Sequence, residues 1–134
     1  MTTTRPPATR GLRHVALYVS KLESCEKFYC DLLGMSVEWR PDADNIYLTS
    51  GNDNLALHRA PAGFVPGSGQ RLDHIGFILA TPDDVDAWHG FLKSHGVEIK
   101  TALKSHRDGA RSFYCQDPDG NVVQMIYHPP IATA

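Results

Sequence analysis

Two spacings of apolar residues alternate along this chain, and the whole alternation occurs twice. RHVALYV (13–19) and DHIGFIL (73–79) are short β-rich runs whose side chains divide onto two faces at every second position, as a half-buried strand requires. Each carries a histidine as its second residue, and His14 and His74 lie sixty positions apart. At the same offset Phe28 matches Trp88 and Leu32 matches Leu92. Self-similarity constrains a fold more than local propensity does, so the chain reads as two copies of one unit, over 11–60 and 71–128.

Each histidine strand leads into a predicted helix. In the first copy Ser20 serves as the N-cap and Glu23 completes a capping box. Leu22, Cys25, Phe28, Tyr29 and Leu32 then recur at helical spacing until Gly34 ends the run. In the second copy Thr81 caps, Pro82 suits the first helical position, and Asp83 and Asp84 suit the positive end of the helix dipole. Val85, Trp88, Phe91 and Leu92 form its apolar stripe, and Gly96 stops it.

Three short strands follow each helix, over 35–40, 45–50 and 54–60, and again over 97–102, 110–116 and 121–128. Turn residues separate them, notably Pro41-Asp42, Gly51-Asn52-Asp53 and Asp117-Pro118-Asp119-Gly120. Each copy is thus βαβββ. APAGFVPGSGQ (60–70) reads as the linker, MTTTRPPATR (1–10) as a disordered lead-in, and 129–134 as a tail. The expected fold class is α+β: two tandem βαβββ modules form an open, curled eight-stranded mixed sheet with the helices on its outer face. Its concave surface is where a small ligand would sit.

Strand alternation assigns that surface. Val15, Leu17 and Val19 should pack under the first helix, leaving His14, Ala16 and Tyr18 on the concave side. Ile75, Phe77 and Leu79 repeat the pattern, leaving His74, Gly76 and Ile78. In the last strand Gln124 lies opposite Val123 and Met125, and in the fourth Ala56 and His58 lie opposite Leu55 and Leu57. A lone strand histidine is most often a surface or hydrogen-bonded core residue. Two at repeat-related positions on the face away from the helices suit convergence on one metal ion.

Composition removes several classes of function. The 134 residues are 42% hydrophobic and 21% charged, with a formal net charge of −2, which describes one ordinary globular domain without the basic surface that nucleic acid needs. Cys25, Cys30 and Cys115 are odd in number and lack CxxC spacing, so neither a disulfide framework nor a thiolate zinc site is expected. A cytoplasmic location fits these thiols. No apolar run approaches the roughly 18–20 residues of a membrane span.

RHVALYVSKLESCEKFYCDLLGMSVEWR, DHIGFIL and RSFYCQDPDGNVVQMIY together resemble the vicinal oxygen chelate superfamily of glyoxalases, extradiol dioxygenases, fosfomycin-modifying thiol transferases, methylmalonyl-coenzyme A epimerases and bleomycin-resistance proteins. The closing element is the most specific: an aromatic strand, an Asp-Pro-Asp-Gly-Asn turn, then a ligand four residues after the glycine. The resemblance implies a divalent metal (Zn, Ni, Mn or Fe) on His14, His74 and Gln124. It also allows a further ligand from the fourth strand, where either Ala56 or His58 holds the place. Only His58 can bind metal there. Family members with two histidines normally carry a carboxylate, usually glutamate, where this chain has Gln124, and a neutral amide neutralises less of the ion's charge.

By the same resemblance Tyr114 is directed at the substrate and His106 is a second-sphere histidine, both with catalytic roles, while Arg111 beside it suits an anionic substrate. Tyr18 and His58 belong to the substrate-binding surface. The leading expectation is a metal-dependent enzyme of glyoxalase or dioxygenase type acting on a small molecule that presents two neighbouring oxygens, within a possible homodimer. The alternative is a metal-free protein of the bleomycin-resistance kind that holds a planar compound.

Overall fold

The concave and convex faces expected from alternation are those observed. In β1 (His14–Val19) Leu17 and Val19 are buried while His14, Ala16 and Tyr18 are exposed. The computed structural model describes residues 5, 10, 12–65 and 72–132. The expected lead-in, apart from Arg5 and Arg10, lies outside the described residues, as do positions 66–70 of the expected linker and the last two of the tail.

The first copy continues with α1 (Leu22–Lys27), β2 (Ser36–Asp42), β3 (Asn45–Thr49) and β4 (Asn54–Arg59). The second comprises β5 (Ile75–Ile78), α2 (Pro82–Ser94), β6 (Lys104–Ser105), β7 (Arg111–Gln116) and β8 (Val122–Tyr127). They form two four-stranded mixed sheets, ordered β1-β4-β3-β2 and β5-β8-β7-β6, that do not close on each other. In each sheet the first strand runs parallel to the last, as β1 to β4 and β5 to β8. The two halves share one core, in which Leu17, Tyr29 and Leu57 join Val85, Phe113 and Met125.

Three local expectations are corrected. Ser20 and Glu23 do not make a capping box: α1 begins after Lys21 with no side-chain cap of its own. The backbone N–H groups of Ser20 and Lys21 instead donate to Asp119 Oδ1 at 3.0 and 2.9 Å, so the turn of the second half supplies the cap. Glu23 is drawn away to Arg59. Next, α1 does not keep a uniform period but widens into a π-helical turn over Phe28–Leu32. Consecutive Phe28 and Tyr29 are both buried in this turn. Last, the strand expected over 97–102 is reduced to a bridge between Ile99 and Cys115 and the two-residue β6 further on.

Helix α2 forms as its sequence indicates. Thr81 accepts from the Asp84 N–H at 3.1 Å, Pro82 opens the helix, and Gly96 adopts φ +76° just after its end. Among the described residues no helix is long and apolar enough to cross a membrane. Cys25, Cys30 and Cys115 are free thiols.

Candidate functional site

On the second sheet three expected residues come together. His74 meets the Tyr114 ring edge-on, with centroids 5.0 Å apart. Tyr114 is the cross-strand partner of Gln124, which pairs on its other side with Gly76. A methyl group added at Gly76 would lie 3.8 Å from Gln124 Oε1, so the missing side chain leaves the space beneath that oxygen open. His74, Tyr114 and Gln124 therefore share one patch of the concave face.

His14 stands on the first sheet, opposite Asn54 in the register. No ring contact or hydrogen bond joins it to the His74 group among the described residues. Its strand nevertheless runs close to that group: Val15 and Ile75, which follow the two histidines, line the same pocket of about 130 Å³, together with Leu55 and Phe77.

The hydrogen bonds of these histidines fix which ring nitrogen is free. His14 Nδ1 lies 2.7 Å from Asn54 Oδ1, and Asn54 Nδ2 donates to Glu38 Oε1 at 2.9 Å. With its amide nitrogen committed to Glu38, Asn54 presents an oxygen to the ring, so Nδ1 carries the hydrogen and Nε2 the lone pair. His74 Nδ1 donates in the same way to Asp73 Oδ1 at 2.7 Å. Acceptors behind Nδ1 orient an imidazole and raise its basicity toward a ligand at Nε2, the usual arrangement behind metal-binding histidines.

The donor set that results is two Nε2 lone pairs and one amide oxygen. It fits a divalent ion in kind, and Gln124 leaves it one negative charge poorer than a set closed by a carboxylate. Among the described residues no group of three or more His, Cys, Asp or Glu side chains is placed to hold a metal ion.

The other expected site residues are more scattered. Tyr18 faces the concavity at 57% exposure, beside His58. His106 lies between β6 and β7 with Nε2 3.0 Å from Ser112 Oγ, so that nitrogen is already engaged. Arg111 does not reach the concave face. It alternates with Phe113 and Cys115 toward α2, where Nε donates to Asp86 at 2.7 Å, while its guanidinium also donates to Ser105 at 2.9 Å. Strand parity at Phe113 and Cys115 already carried that information.

Sequence reasoning missed the residues that hold the rings. Glu38, Asn54 and Asp73 carry no motif, and Asn54 becomes legible only once the pairing of β1 with β4 is known. Two broader clefts are present, one away from these histidines and one reaching Arg13 and Gly76, beside His14 and Gln124. One, of about 610 Å³, lies between α1 and the 116–120 turn and is lined by Lys27, Asp31, His95 and Glu98. The other, of about 710 Å³, is lined by Arg13, Asp53, Ile78 and Trp88.

Comparison with known proteins agrees with this architecture. The chain is 29% identical over 122 residues to biphenyl-2,3-diol 1,2-dioxygenase 2 of Rhodococcus globerulus, covering 88% of this chain and 63% of that protein. It is 30% identical over 119 residues to the glutathione transferase FosA of Serratia marcescens, covering 87% and 79%. A manganese-dependent 2,3-dihydroxybiphenyl 1,2-dioxygenase of Geobacillus genomosp. 3 is 30% identical, but the match spans only 35% of its length. The chain thus spans less than two thirds of the two dioxygenases. In fold it is similar to the lactoylglutathione lyase of Agrobacterium tumefaciens, with a TM-score of 0.72 at 21% identity, covering 92% and 96% of the two chains. Residues 11–125 match the family described as the Glyoxalase/Bleomycin resistance protein/Dioxygenase superfamily, and the chain belongs to it.

Proposed function

We propose that the chain is a metal-dependent enzyme whose ion is held by Nε2 of His14, Nε2 of His74 and Oε1 of Gln124. The observation that carries this reading is the pair of acceptors, Asn54 and Asp73, that leave both histidines with the same free nitrogen. When bound, the ion supplies Lewis acidity to two neighbouring oxygens of a small substrate. Tyr114, in ring contact with His74, presents a hydroxyl that orients a substrate oxygen. Gln124 accepts no proton at neutral pH, so a proton moved in the reaction goes to an imidazole or to solvent and not to residue 124. The Mn-dependent dioxygenase relative supports metal dependence in general.

A second reading draws on Gln124 and on a group of exposed rings on the first sheet: the protein holds a planar compound without metal. Elemental analysis of untagged protein, then reconstitution with zinc, nickel, manganese and ferrous iron, separates the two. One ion per chain, lost in His74→Ala, is expected. No ion under any of these conditions rejects the enzyme reading.

A further inference from the structure

The first sheet carries a second histidine held in the manner of His14. His58 Nδ1 lies 2.6 Å from Asn45 Oδ1, and Asn45 Nδ2 donates to the two oxygens of Asp42 at 2.9 and 3.1 Å. The amide is fixed with its oxygen toward the ring, so His58 also keeps its lone pair on Nε2. No described residue hydrogen-bonds that nitrogen. Both relays start from a carboxylate on β2 and pass through an asparagine to an imidazole on the concave face.

Around His58 the sheet is aromatic. Tyr18 and Tyr47 meet its ring edge-on, with centroids 6.3 and 5.9 Å away. Trp39 stacks on Tyr47 at 5.2 Å with planes 21° apart, and Tyr18 rests 5.2 Å from Phe64. Trp39 and Phe64 are 59% and 45% exposed. These rings pack on one another and not into the core, leaving a contiguous apolar surface of the kind that marks a binding site. Among the described residues the neighbouring cations are engaged elsewhere, Arg40 by Glu26 and Arg59 by Glu23 and Asp44. With Asp42 and Glu38 on the adjoining strand, the cluster offers nothing to an anion.

We propose that this cluster binds a neutral aromatic ring bearing a hydroxyl group. Tyr18, Trp39, Tyr47 and Phe64 cover the ring, and His58 Nε2 accepts the hydroxyl hydrogen bond. The proposal rests on the reading of the concave face as the ligand face, and it names the ligand without requiring the metal. An aliphatic alcohol of similar size gains no ring contacts, and an aromatic ether offers His58 no hydrogen.

The test uses full-length protein dialysed against EDTA and three probes in equilibrium dialysis. 2-Naphthol has one oxygen and cannot chelate, 2-methoxynaphthalene lacks the hydroxyl hydrogen, and cyclohexanol lacks the ring. Saturable binding of 2-naphthol at one per chain is expected, with the ether about fivefold weaker and cyclohexanol unbound. His58→Phe should lower 2-naphthol to the affinity of the ether and leave the ether unchanged. Trp39→Ala should weaken both aromatic probes about fivefold. Equal affinity for 2-naphthol and its ether, saturable binding of cyclohexanol, no saturable binding of 2-naphthol, or unchanged 2-naphthol affinity in either variant overturns the proposal. His14→Ala is titrated in parallel. Unaltered 2-naphthol binding there supports the subsite, and its loss overturns it by placing the ring at the metal ligands. Metal content is read separately, so failure of the metal reading and failure of this one are distinguishable.

Discussion

The Tyr29 hydroxyl, on the helix of the first half, donates a 2.7 Å hydrogen bond to Asp117 Oδ2 in the last turn of the second. Asp117 is 4% exposed and also accepts from the backbone of Asp119 and Asn121, each at 2.9 Å, and from Asn121 Nδ2 at 2.8 Å. Tyr29→Phe leaves one buried acceptor short of a donor and should cost about 1–3 kcal/mol in urea unfolding. Asp117→Ala orphans every one of these donors and should cost more. Because the contact spans the two halves, a single cooperative transition is expected in the parent protein. Two separated transitions would show that the halves are not coupled through it.

His14→Ala and His74→Ala should each abolish tight metal binding with the fold intact by circular dichroism, since the core is built on the other face of the strands. Gln124→Glu restores a charge to the ligand set and should tighten binding. Wild-type stoichiometry in either histidine variant, or unchanged affinity in Gln124→Glu, refutes the ligand assignment.

Asn54 acts through His14. Asn54→Leu removes the acceptor behind Nδ1 and should weaken metal binding by about 10–100-fold, whereas Asn54→Asp keeps an acceptor and should retain most of the affinity. Equal losses in the two variants would show that the residue matters for packing and not for ring orientation.

Burial raises the Cys25 thiol to about 12, with Asp117 and Asp119 adding to the effect. Burial likewise raises Cys115 to about 12. Burial and the Asp117 carboxylate push the Tyr29 hydroxyl upward as well. The folded protein keeps these protons to higher pH than the unfolded chain, so the stabilisation is fully present below about 8.5, the ordinary thiol value. It is lost as pH rises toward 12. Thermal unfolding followed from pH 8 to 11 should show a falling midpoint, with a shallower slope in the Cys25→Ala, Cys115→Ala double variant. An identical slope would assign the alkaline loss to other groups.

A homodimer is one arrangement that the proposed site allows, with His14 of one copy serving His74 of another. Sedimentation at micromolar concentration tests it. A single species of 14.8 kDa refutes the dimer. In a dimer that shares its sites, co-refolded His14→Ala and His74→Ala chains regain part of the metal binding that each lacks alone.

The repeat made the architecture legible, because period-two strands and glycine-stopped helices depend on local residues alone. The faces of His14, His74 and Gln124 followed from parity. What escaped the sequence were contacts between positions far apart in the chain. Asn54 supports His14 from forty positions away, and Asp119 caps the first helix from the opposite half. The ion pair of Arg111 with Asp86 on α2, twenty-five positions away, was likewise not legible from the motif beside it. The π-helical turn broke a pattern that assumed one period throughout.

The borrowed cap has a consequence for how the chain is made. Ser20 and Lys21 precede the aspartate that receives their amides by 99 and 98 positions. At about 5–20 residues per second, that cap is synthesised roughly 5–20 s after the first helix. The second helix carries Thr81 with it and waits for nothing. On a nascent chain, then, the later helix can close as it emerges, and the earlier one is completed last.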